Sequence, residues 1–169
     1  MLEQSSPANV RTARNDDADA LAETFALSWR QAYRGLLPHA HLEGMIARRQ
    51  PAWWRSSLGS RDCVLVLEVA DTIAGYATCG QARGRGRSKG EIYELYVAPI
   101  YQGLGFGEHL FEGCRFVLDN NRLDGLVVWA LLDNKQACDF YWRRGGRPVA
   151  STIDVLGGKR LEKIAFTWA

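Results

Sequence analysis

Apolar residues recur at helical spacing near the start of the chain. Three of them lie four residues apart: Leu21, Phe25 and Trp29. Asp16 or Asp17 can cap the first turn of a helix here, because a short carboxylate accepts hydrogen bonds from the free backbone N–H groups of that turn. The pattern predicts a helix that runs from these residues to about Tyr33.

A second helical region follows the first, and a strand precedes both. Gly35 and Pro38 end the first pattern, and apolar residues recur again at helical spacing between 39 and 58. Pro51 lies within this stretch, and we expect a break there because proline in a helix interior removes a hydrogen bond. The stretch 10–14, ahead of the first helix, predicts a short strand.

The rest of the chain alternates between strand and helix patterns. Apolar and β-branched runs bounded by turn residues predict six strands: 63–69, 73–81, 91–97, 125–132, 147–155 and 159–168. The first two form an antiparallel hairpin about Asp71 and Thr72. Helical spacing predicts two helices between these strands, one after the glycine-rich stretch 103–107 and one over 134–144.

The order of these elements predicts the fold class. A strand and two helices precede three strands, and a helix, a strand, a helix and two strands follow. This order is typical of an α/β protein in which helices cover both faces of a mixed sheet. No repeat, low-complexity tract or long linker divides the chain, so we expect one domain over residues 1–169.

Composition and charge narrow the possible functions. The chain has 169 residues, of which 47% are hydrophobic, enough to build a core. Its 21 basic and 19 acidic residues leave a net charge of only +2, so we expect no nucleic-acid partner and no membrane partner. One basic cluster alternates with glycine and serine and lacks interleaved aromatic residues, which favours a solvated turn over a phosphate contact: Arg83, Arg85, Arg87 and Lys89.

Cysteine spacing and the first residues bear on location and cofactors. The four cysteines are widely spread, form no Cys-x-x-Cys pair and have no histidine at metal-ligand spacing: Cys63, Cys79, Cys114 and Cys138. We therefore expect reduced thiols, no bound metal and a cytoplasmic protein. The first residues lack a signal-peptide pattern, and no run of about 18 apolar residues predicts a membrane span.

The sharpest local signal is a glycine-rich loop between a strand and an amphipathic helix, Gln102-Gly-Leu-Gly-Phe-Gly107. Glycines let a ligand approach the backbone, and the free N–H groups at a helix start attract an anion. A P-loop would end in Gly-Lys-Ser/Thr, whereas Glu108 follows the last glycine here. A dinucleotide-binding fingerprint would begin directly after the strand, whereas seven residues separate Val97 from Gly105. By itself, the loop fits either another kind of phosphate site or an ordinary turn.

Two motifs together give the loop a context. The segment 95–107 resembles the acetyl-CoA-binding motif of the GNAT superfamily of N-acetyltransferases, a strand ending in Val-x-Pro before Gln/Arg-x-x-Gly-x-Gly/Ala. It matches at Gln102, Gly105 and Gly107. The stretch 134–146 is similar to the family's second motif, Asn-x-x-Ala-x-x-Phe-Tyr-x-x-x-Gly-Phe. It matches at five positions: Asn134, Ala137, Phe140, Tyr141 and Gly145. Gly146 stands where the family usually has an aromatic residue, and we expect looser packing there.

The resemblance implies a fold and a co-substrate. The fold is that of the GNAT acyl-CoA N-acyltransferases, a mostly antiparallel, splayed sheet, and the co-substrate is acetyl-CoA. Backbone N–H groups of seven loop residues would hold the CoA pyrophosphate: Gln102, Gly103, Leu104, Gly105, Phe106, Gly107 and Glu108. The pantetheine arm would follow Leu95, Tyr96 and Val97, with main-chain groups of the first and third free to pair with its amides. Asn134 would bond the arm, cap the following helix, or do both.

Acetyl transfer to an amine requires acid–base groups. An alkylamine is neutral in roughly one molecule in a few thousand at pH 7, so a base, or a relay through water, must take its proton. Glu94 is the favoured base and Glu91 the alternative, on opposite faces of the strand unless a bulge intervenes. Either could instead be a solvated or salt-bridged carboxylate. The resemblance implies that Tyr141 protonates the departing thiolate, the alternative being a buried tyrosine that bonds a backbone carbonyl. Direct attack on the thioester requires no cysteine nucleophile.

The acceptor is the least defined part of the site. The resemblance implies that the amine enters between the first helical region and the central strands, so Trp29 and Tyr33 are candidates to contact it. Trp129 is a third candidate, and core packing is the alternative for both tryptophans. We expect an N-acetyltransferase for the primary amine of a small-molecule or amino-acid-like acceptor. The alternatives are a protein N-terminus or lysine as acceptor, and a module that binds acyl-CoA without turnover. A homodimer is compatible with the family, but the sequence does not decide it.

Overall fold

The structure, a computed structural model, describes residues 8–60 and 62–169. Its strands are β1 (Asn9–Thr12), β2 (Cys63–Val69), β3 (Thr72–Gln81), β4 (Gly90–Val97), β5 (Leu126–Leu131), β6 (Arg147–Leu156) and β7 (Lys159–Trp168). Its helices are α1 (Ala18–Tyr33), α2 (His39–Arg48), α3 (Pro51–Ser57), α4 (Phe106–Asn120) and α5 (Lys135–Arg143). Short 3-10 turns precede α1 and the loop before α4, at Asn15–Asp17 and Pro99–Tyr101.

The strands form one seven-stranded sheet in the order β1-β2-β3-β4-β5-β7-β6. All neighbours pair antiparallel except β4 and β5, which are parallel. Residues of α1, α2 and α3 pack on one face, and residues of α4 and α5 pack on the other. The predicted mostly antiparallel sheet with helices on both faces is therefore confirmed.

The strand pattern divides the core into two layers. Along β2, Leu65 and Leu67 belong to the layer under α4 and α5, whereas Val64 and Val66 belong to the layer under α1, α2 and α3. This alternation follows from the two-residue period of a strand, and the continuous apolar run of β2 is explained because both of its faces are buried. Tyr76, on β3, lies in the α1 layer.

Two sequence features act differently from the expectation. The break in the second helical region falls at Arg49 and Gln50, and Pro51 begins α3 in the first turn, where its missing N–H costs nothing. Asp17 immediately precedes α1, but its side chain makes no capping bond to that helix. Instead, its carboxylate accepts a 2.7 Å hydrogen bond from the Arg14 backbone N–H and a two-pronged ion pair from Arg11.

The β6–β7 hairpin closes the α1 side of the molecule. A Cβ atom on Gly157, at the tip of the hairpin, would lie 2.7 Å from Cβ of His41 on α2. Lys159 Nζ donates a 2.9 Å hydrogen bond to the Leu36 carbonyl in the α1–α2 connection. The hairpin therefore packs directly against the connection between the first two helices.

Gly146 is tightly packed, contrary to the expectation of looser packing. A Cβ atom there would lie 2.5 Å from Cζ2 of Trp168, at the end of β7. Trp168 packs against Phe111 and Tyr141, and its Nε1 donates a 3.0 Å hydrogen bond to the Arg144 carbonyl. The ring of Trp168 thus fills the space that an aromatic residue at position 146 would take.

The helices of the described chain are too short or too polar to cross a membrane.

Candidate active site

A cleft opens where β4 and β5 separate. The two strands share only three residue pairs, which end at Ile92 and Val128, and beyond this point β4 pairs with β3 alone. The cleft has a volume of about 480 Å³, a size typical of small-ligand sites. The sheet is splayed, as predicted, because the parallel pairing of β4 with β5 ends after three residue pairs.

Nearly all of the predicted cofactor residues line this cleft. They are Leu95, Tyr96, Val97, Gln102, Gly103, Gly105, Phe106, Gly107, Glu108 and Asn134. The exception is Leu104, whose side chain is 64% exposed and does not line the cleft.

The glycine loop presents free backbone donors to the cleft. Gly103 and Gly105 have left-handed backbones, with φ of 77° and 81°, which side chains rarely adopt. In residues 8–60 and 62–169, no backbone carbonyl accepts a hydrogen bond from the N–H groups of residues 103, 104 and 105. The first N–H groups of α4 also lack intrahelical acceptors, as in any helix. The loop therefore offers a cluster of N–H groups suited to an anion.

Gly105 and Gly107 have different surroundings, which explain in different ways why each is a glycine. A Cβ atom on Gly105 would meet no atom within 4 Å, so the space over it stays open to a ligand. A Cβ atom on Gly107 would lie 3.0 Å from Cε2 of Phe140. Glycine at 107 is thus explained by close packing of α4 on α5 rather than by ligand approach alone.

Gln102 ties the loop to its surroundings. Its Nε2 donates to the Val97 carbonyl at 2.9 Å and to Gln31 Oε1, on α1, at 2.6 Å. Gln136, on α5, donates to Gln102 Oε1 at 3.2 Å. Gln102 therefore links the end of β4 to α1 and α5. Gln31 and Gln136 also line the cleft, and the motifs did not indicate them.

Two arginines line the cleft from the end of α5. Arg143 and Arg144 lie between two matched positions of the second motif, Tyr141 and Gly145. The Arg144 guanidinium forms an ion pair with Glu108 and lies 5.0 Å from the Phe140 ring centroid. Cationic side chains next to the free N–H groups of the loop favour a phosphorylated ligand. The run of two arginines inside the motif was the signal that could have indicated them.

Tyr141 lies on α5 and faces the cleft while being almost fully buried. Its side chain is 6% exposed and packs against Phe140, Phe166 and Trp168. Burial raises the pKa of the phenol well above its ordinary value, because an ionised ring would lose its hydration. Tyr141 is therefore held as a neutral O–H donor at the wall of the cleft.

Asn134 caps α5 and also lines the cleft. Its Oδ1 accepts a 3.3 Å hydrogen bond from the Ala137 backbone N–H, so the predicted capping role is confirmed. The cap uses the carbonyl oxygen of the side chain.

Glu94 lies on β4, on the face of the sheet that α1 covers, and both of its hydrogen-bond partners are side chains. Its carboxylate accepts a 3.0 Å bond from Arg49 and a 2.9 Å bond from the Tyr76 hydroxyl, and its side chain is 14% exposed. The Arg49 guanidinium in turn lies over the rings of Phe25 and Trp53, at 4.7 and 4.1 Å from their centroids. Glu94 is thus a salt-bridged carboxylate, and it does not itself line the cleft.

A bulge in β4 decides the relation between Glu94 and Glu91. Thr78 pairs with Glu94 and Cys79 with Ile92, so Tyr93 is an extra residue on β4. As a result Ile92 and Leu95, three residues apart, both pack in the α4 layer, and Glu91 and Glu94 occupy the opposite face together.

Glu91 lies in the paired part of β4, away from the cleft. Its carboxylate accepts bonds from the backbone N–H and the guanidinium of Arg83, at 3.0 and 2.8 Å. It does not line the cleft. The basic loop therefore provides a partner for a buried carboxylate through Arg83.

The three predicted acceptor residues do not line the cleft. Trp29 stacks on Phe25 in the α1 layer, at 4.7 Å between ring centroids. Tyr33 is hydrogen-bonded to the hydroxyl of Tyr96, a cleft residue, at 2.6 Å. Trp129, on β5, has the Lys163 ammonium 5.1 Å from its ring centroid. Of the three, Tyr33 comes nearest to the cleft wall through its partner.

Comparison with known proteins indicates the same family as the two sequence motifs. The model of the acetyltransferase (GNAT) family matches residues 20–146. An uncharacterized N-acetyltransferase of Archaeoglobus fulgidus is 28% identical over 136 residues, which span 78% of this chain and 88% of the relative.

Two solved structures that contain coenzyme A or acetyl-CoA share this fold. The paia N-acetyltransferase of Thermoplasma acidophilum in complex with coenzyme A superposes with a TM-score of 0.75 at 15% identity, over 96% of this chain and 99% of that one. The structure of yncA from Salmonella typhimurium with acetyl-CoA gives 0.68 at 21% identity, over 96% and 94%.

Proposed function

The chain belongs to the acetyltransferase (GNAT) family and is an N-acetyltransferase that uses acetyl-CoA, and from this premise we propose that it acetylates the primary amine of a small-molecule or amino-acid-like acceptor. The observation that carries the proposal is the position of Tyr141. A neutral phenol lies at the wall of a cleft whose other end presents the free N–H groups of the glycine loop.

The reaction is a direct attack in which the chain supplies the proton transfers. Acetyl-CoA supplies an activated thioester. The amine nitrogen forms a bond to the carbonyl carbon while the bond from that carbon to sulfur breaks. Tyr141 donates its phenol proton to the departing thiolate, and Glu94 receives the proton that the amine gives up. Proton exchange with solvent then restores both side chains, and the products are the N-acetylated amine and CoA.

The geometry favours Glu94 over Glu91 as the proton acceptor. Glu94 shares the α1 face of β4 with Tyr96, which lines the cleft two residues further on, whereas Glu91 lies in the paired part of the strand and is held by Arg83. Since Glu94 does not line the cleft, we propose that the proton reaches it through a relay rather than by direct contact with the amine.

Closure of the α1 side favours a small acceptor. The tip of the β6–β7 hairpin packs on α2, and Lys159 holds the α1–α2 connection through the Leu36 carbonyl. A peptide in extended form would need an open groove on this side. We propose that the acceptor amine approaches near Tyr33, with Trp29 supporting Tyr33 by edge-to-face packing at 4.9 Å and Trp129 at the β5 side of the entrance.

The first experiment is a thiol-release assay with acetyl-CoA and a panel of acceptors: alkylamines, free amino acids, a peptide with a free N-terminus, and a lysine peptide with a blocked N-terminus. We expect amine-dependent CoA release with at least one small amine. A higher kcat/KM for either peptide than for every small amine would contradict the small-acceptor proposal.

The role of Glu94 is tested by Glu94→Gln, with Glu23→Gln on the exposed face of α1 as the matched control. At pH 7 we expect kcat to fall about 100-fold. The loss should shrink towards pH 10, because an alkylamine then loses its proton to solvent without help. A loss that is the same at every pH would show that Glu94 acts only through structure.

A further inference from the structure

Ser28 interrupts the apolar face of α1. The buried positions of that face are 18, 21, 24, 25 and 28, and two of them are polar, Thr24 and Ser28. Position 28 is buried as Leu21 and Phe25 are, with 2% of the residue exposed. A hydroxyl therefore lies where the helix pattern calls for an apolar side chain, and this break in the pattern is visible in the sequence.

The Ser28 hydroxyl has no partner in the described part of the protein. Its Oγ is buried and makes no hydrogen bond, including the bond to the carbonyl four residues earlier that helical serines often make. Burying a hydroxyl without a partner is unfavourable, and serine is also a weaker helix former than alanine. In the free protein, Ser28 therefore destabilises the position that it occupies.

Ser28 lines the acyl-CoA cleft. Ser28 is one of the residues that line the cleft, as are Gln31 and Ala32, one turn further along α1, and Leu95 and Tyr141 on the neighbouring elements. An unpartnered polar atom, shielded from bulk water, thus belongs to a residue of the cleft wall.

We propose that Ser28 Oγ hydrogen-bonds a carbonyl or amide group of the bound acyl-CoA arm. A hydroxyl can donate to a carbonyl oxygen and can accept from an amide N–H, and the arm offers both. The ligand satisfies the hydroxyl that the free protein leaves unpaired, so the group is unfavourable before binding and favourable after it. The proposal requires acyl-CoA in the cleft, and it is independent of the roles of Glu94 and Tyr141 and of the acceptor.

Ser28→Ala tests the proposal because it predicts effects of opposite sign on the free and bound protein. The free variant should melt about 2 °C higher than the wild type, since alanine removes the unpaired hydroxyl and is the better helix former. Its dissociation constants should rise about 3- to 10-fold by isothermal titration calorimetry, the usual value of one hydrogen bond. Ser56→Ala, on the exposed side of α3, is the matched control and should bind as the wild type does.

Titration with both acetyl-CoA and CoA distinguishes the two sources of the contact. A loss confined to acetyl-CoA places the contact at the thioester carbonyl, and an equal loss with both ligands places it at the arm amides. The proposal is overturned if Ser28→Ala binds both ligands within twofold of wild type, or if the free variant melts lower, since the hydroxyl then has a partner within the protein. Failure of the wild type to bind acetyl-CoA would instead contradict the proposed function.

Discussion

Tyr141 combines burial with access to the cleft, and the two properties can be separated by one substitution. Tyr141→Phe keeps the ring that packs on Phe166 and Trp168 and removes only the hydroxyl. We expect kcat to fall about 100-fold, the usual effect of losing a general acid. The dissociation constant for acetyl-CoA should stay within twofold and the melting temperature within about 2 °C.

The same burial predicts the pH dependence of the wild type. Because burial raises the pKa of Tyr141, the phenol keeps its proton at pH 10, where a free tyrosine is about half ionised. Measured between pH 8 and 10, kcat should therefore show no decline caused by Tyr141. A decline that disappears in Tyr141→Phe would contradict the assigned environment of the phenol.

Alanine substitutions at Gly105 and Gly44 test the backbone conformation of the glycine loop against that of an ordinary helix position. Gly105 has a left-handed backbone, whereas Gly44 lies in α2 with open space around it and no positive φ. Gly105→Ala should lower the free energy of unfolding by about 1 kcal/mol because of the left-handed strain, and Gly44→Ala should raise it by about 0.5–1 kcal/mol through helix propensity. Denaturant unfolding measures both changes.

Acetyl-CoA binding gives this pair a functional readout. A Cβ atom on Gly105 would enter the open space in front of the free N–H groups, so we expect Gly105→Ala also to weaken acetyl-CoA binding, with Gly44→Ala unchanged. Equal binding by both variants would place the pyrophosphate away from this loop.

Local sequence patterns predicted the residues of the motifs but not their distant partners. Gln102 and Asn134 could be predicted because each belongs to a short segment with a fixed spacing to a helix start. The partner of Glu94 could not, because Arg49 is 45 positions earlier in the chain, at a helix junction, and nothing local marks it. Ser28 lies between these cases, since only its place in the helical pattern makes it unusual.

Among the elements, the junction between β1 and α1 depends on one carboxylate. Asp17 accepts two bonds from Arg11 and one from the Arg14 backbone. The bonds from Arg11, followed by the Arg14 N–H, lower the pKa of Asp17 in the folded state, although burial opposes them. The ionised carboxylate therefore stabilises the fold above the ordinary aspartate pKa of about 3.9, and this stabilisation is lost as the pH falls through the lower folded-state value.

Asp17→Asn should lower the free energy of unfolding by about 2 kcal/mol at pH 7, the magnitude of hydrogen bonds to a charged group. The difference between variant and wild type should diminish below about pH 4, as the wild-type carboxylate takes up a proton. Urea unfolding at pH 7 and at pH 3 measures both values. Asp16→Asn, one residue earlier and exposed, is the control.

The bounds of helices and strands could be predicted because turn residues mark them. The bulge in β4 could not be predicted. The predicted strand 63–69 is β2 itself, and the other elements agree to within a few residues; α4 begins at Phe106, inside the glycine stretch that it was predicted to follow. The bulge at Tyr93 has no such marker, because a bulge is defined by pairing with a neighbouring strand. It placed Glu91 and Glu94 on one face, where simple alternation would have separated them.

For the molecule as a whole, the sequence predicted the layers of the fold but not which segments from different parts of the chain pack against one another. The order of elements was enough to predict a mixed sheet between two helical layers. The filling of the space at Gly146 by Trp168 depends on β7 pairing between β5 and β6, which element order alone does not specify. The aromatic residue missing from position 146 of the motif is therefore replaced by the ring of Trp168, at the end of β7.

The early separation of β4 from β5 has a consequence for the rates at which backbone protons exchange with solvent. Ala98 donates to Ala74 on β3, so strand alternation directs the N–H groups of Leu95 and Val97 away from β3, into the cleft. In the free protein these two amides should exchange with deuterium much faster than that of Tyr96, which is turned towards β3. Acetyl-CoA should slow the first two and leave the third unchanged, as hydrogen exchange followed by NMR would show. Equal protection of all three amides without ligand would mean that this half of the strand has a partner on both edges.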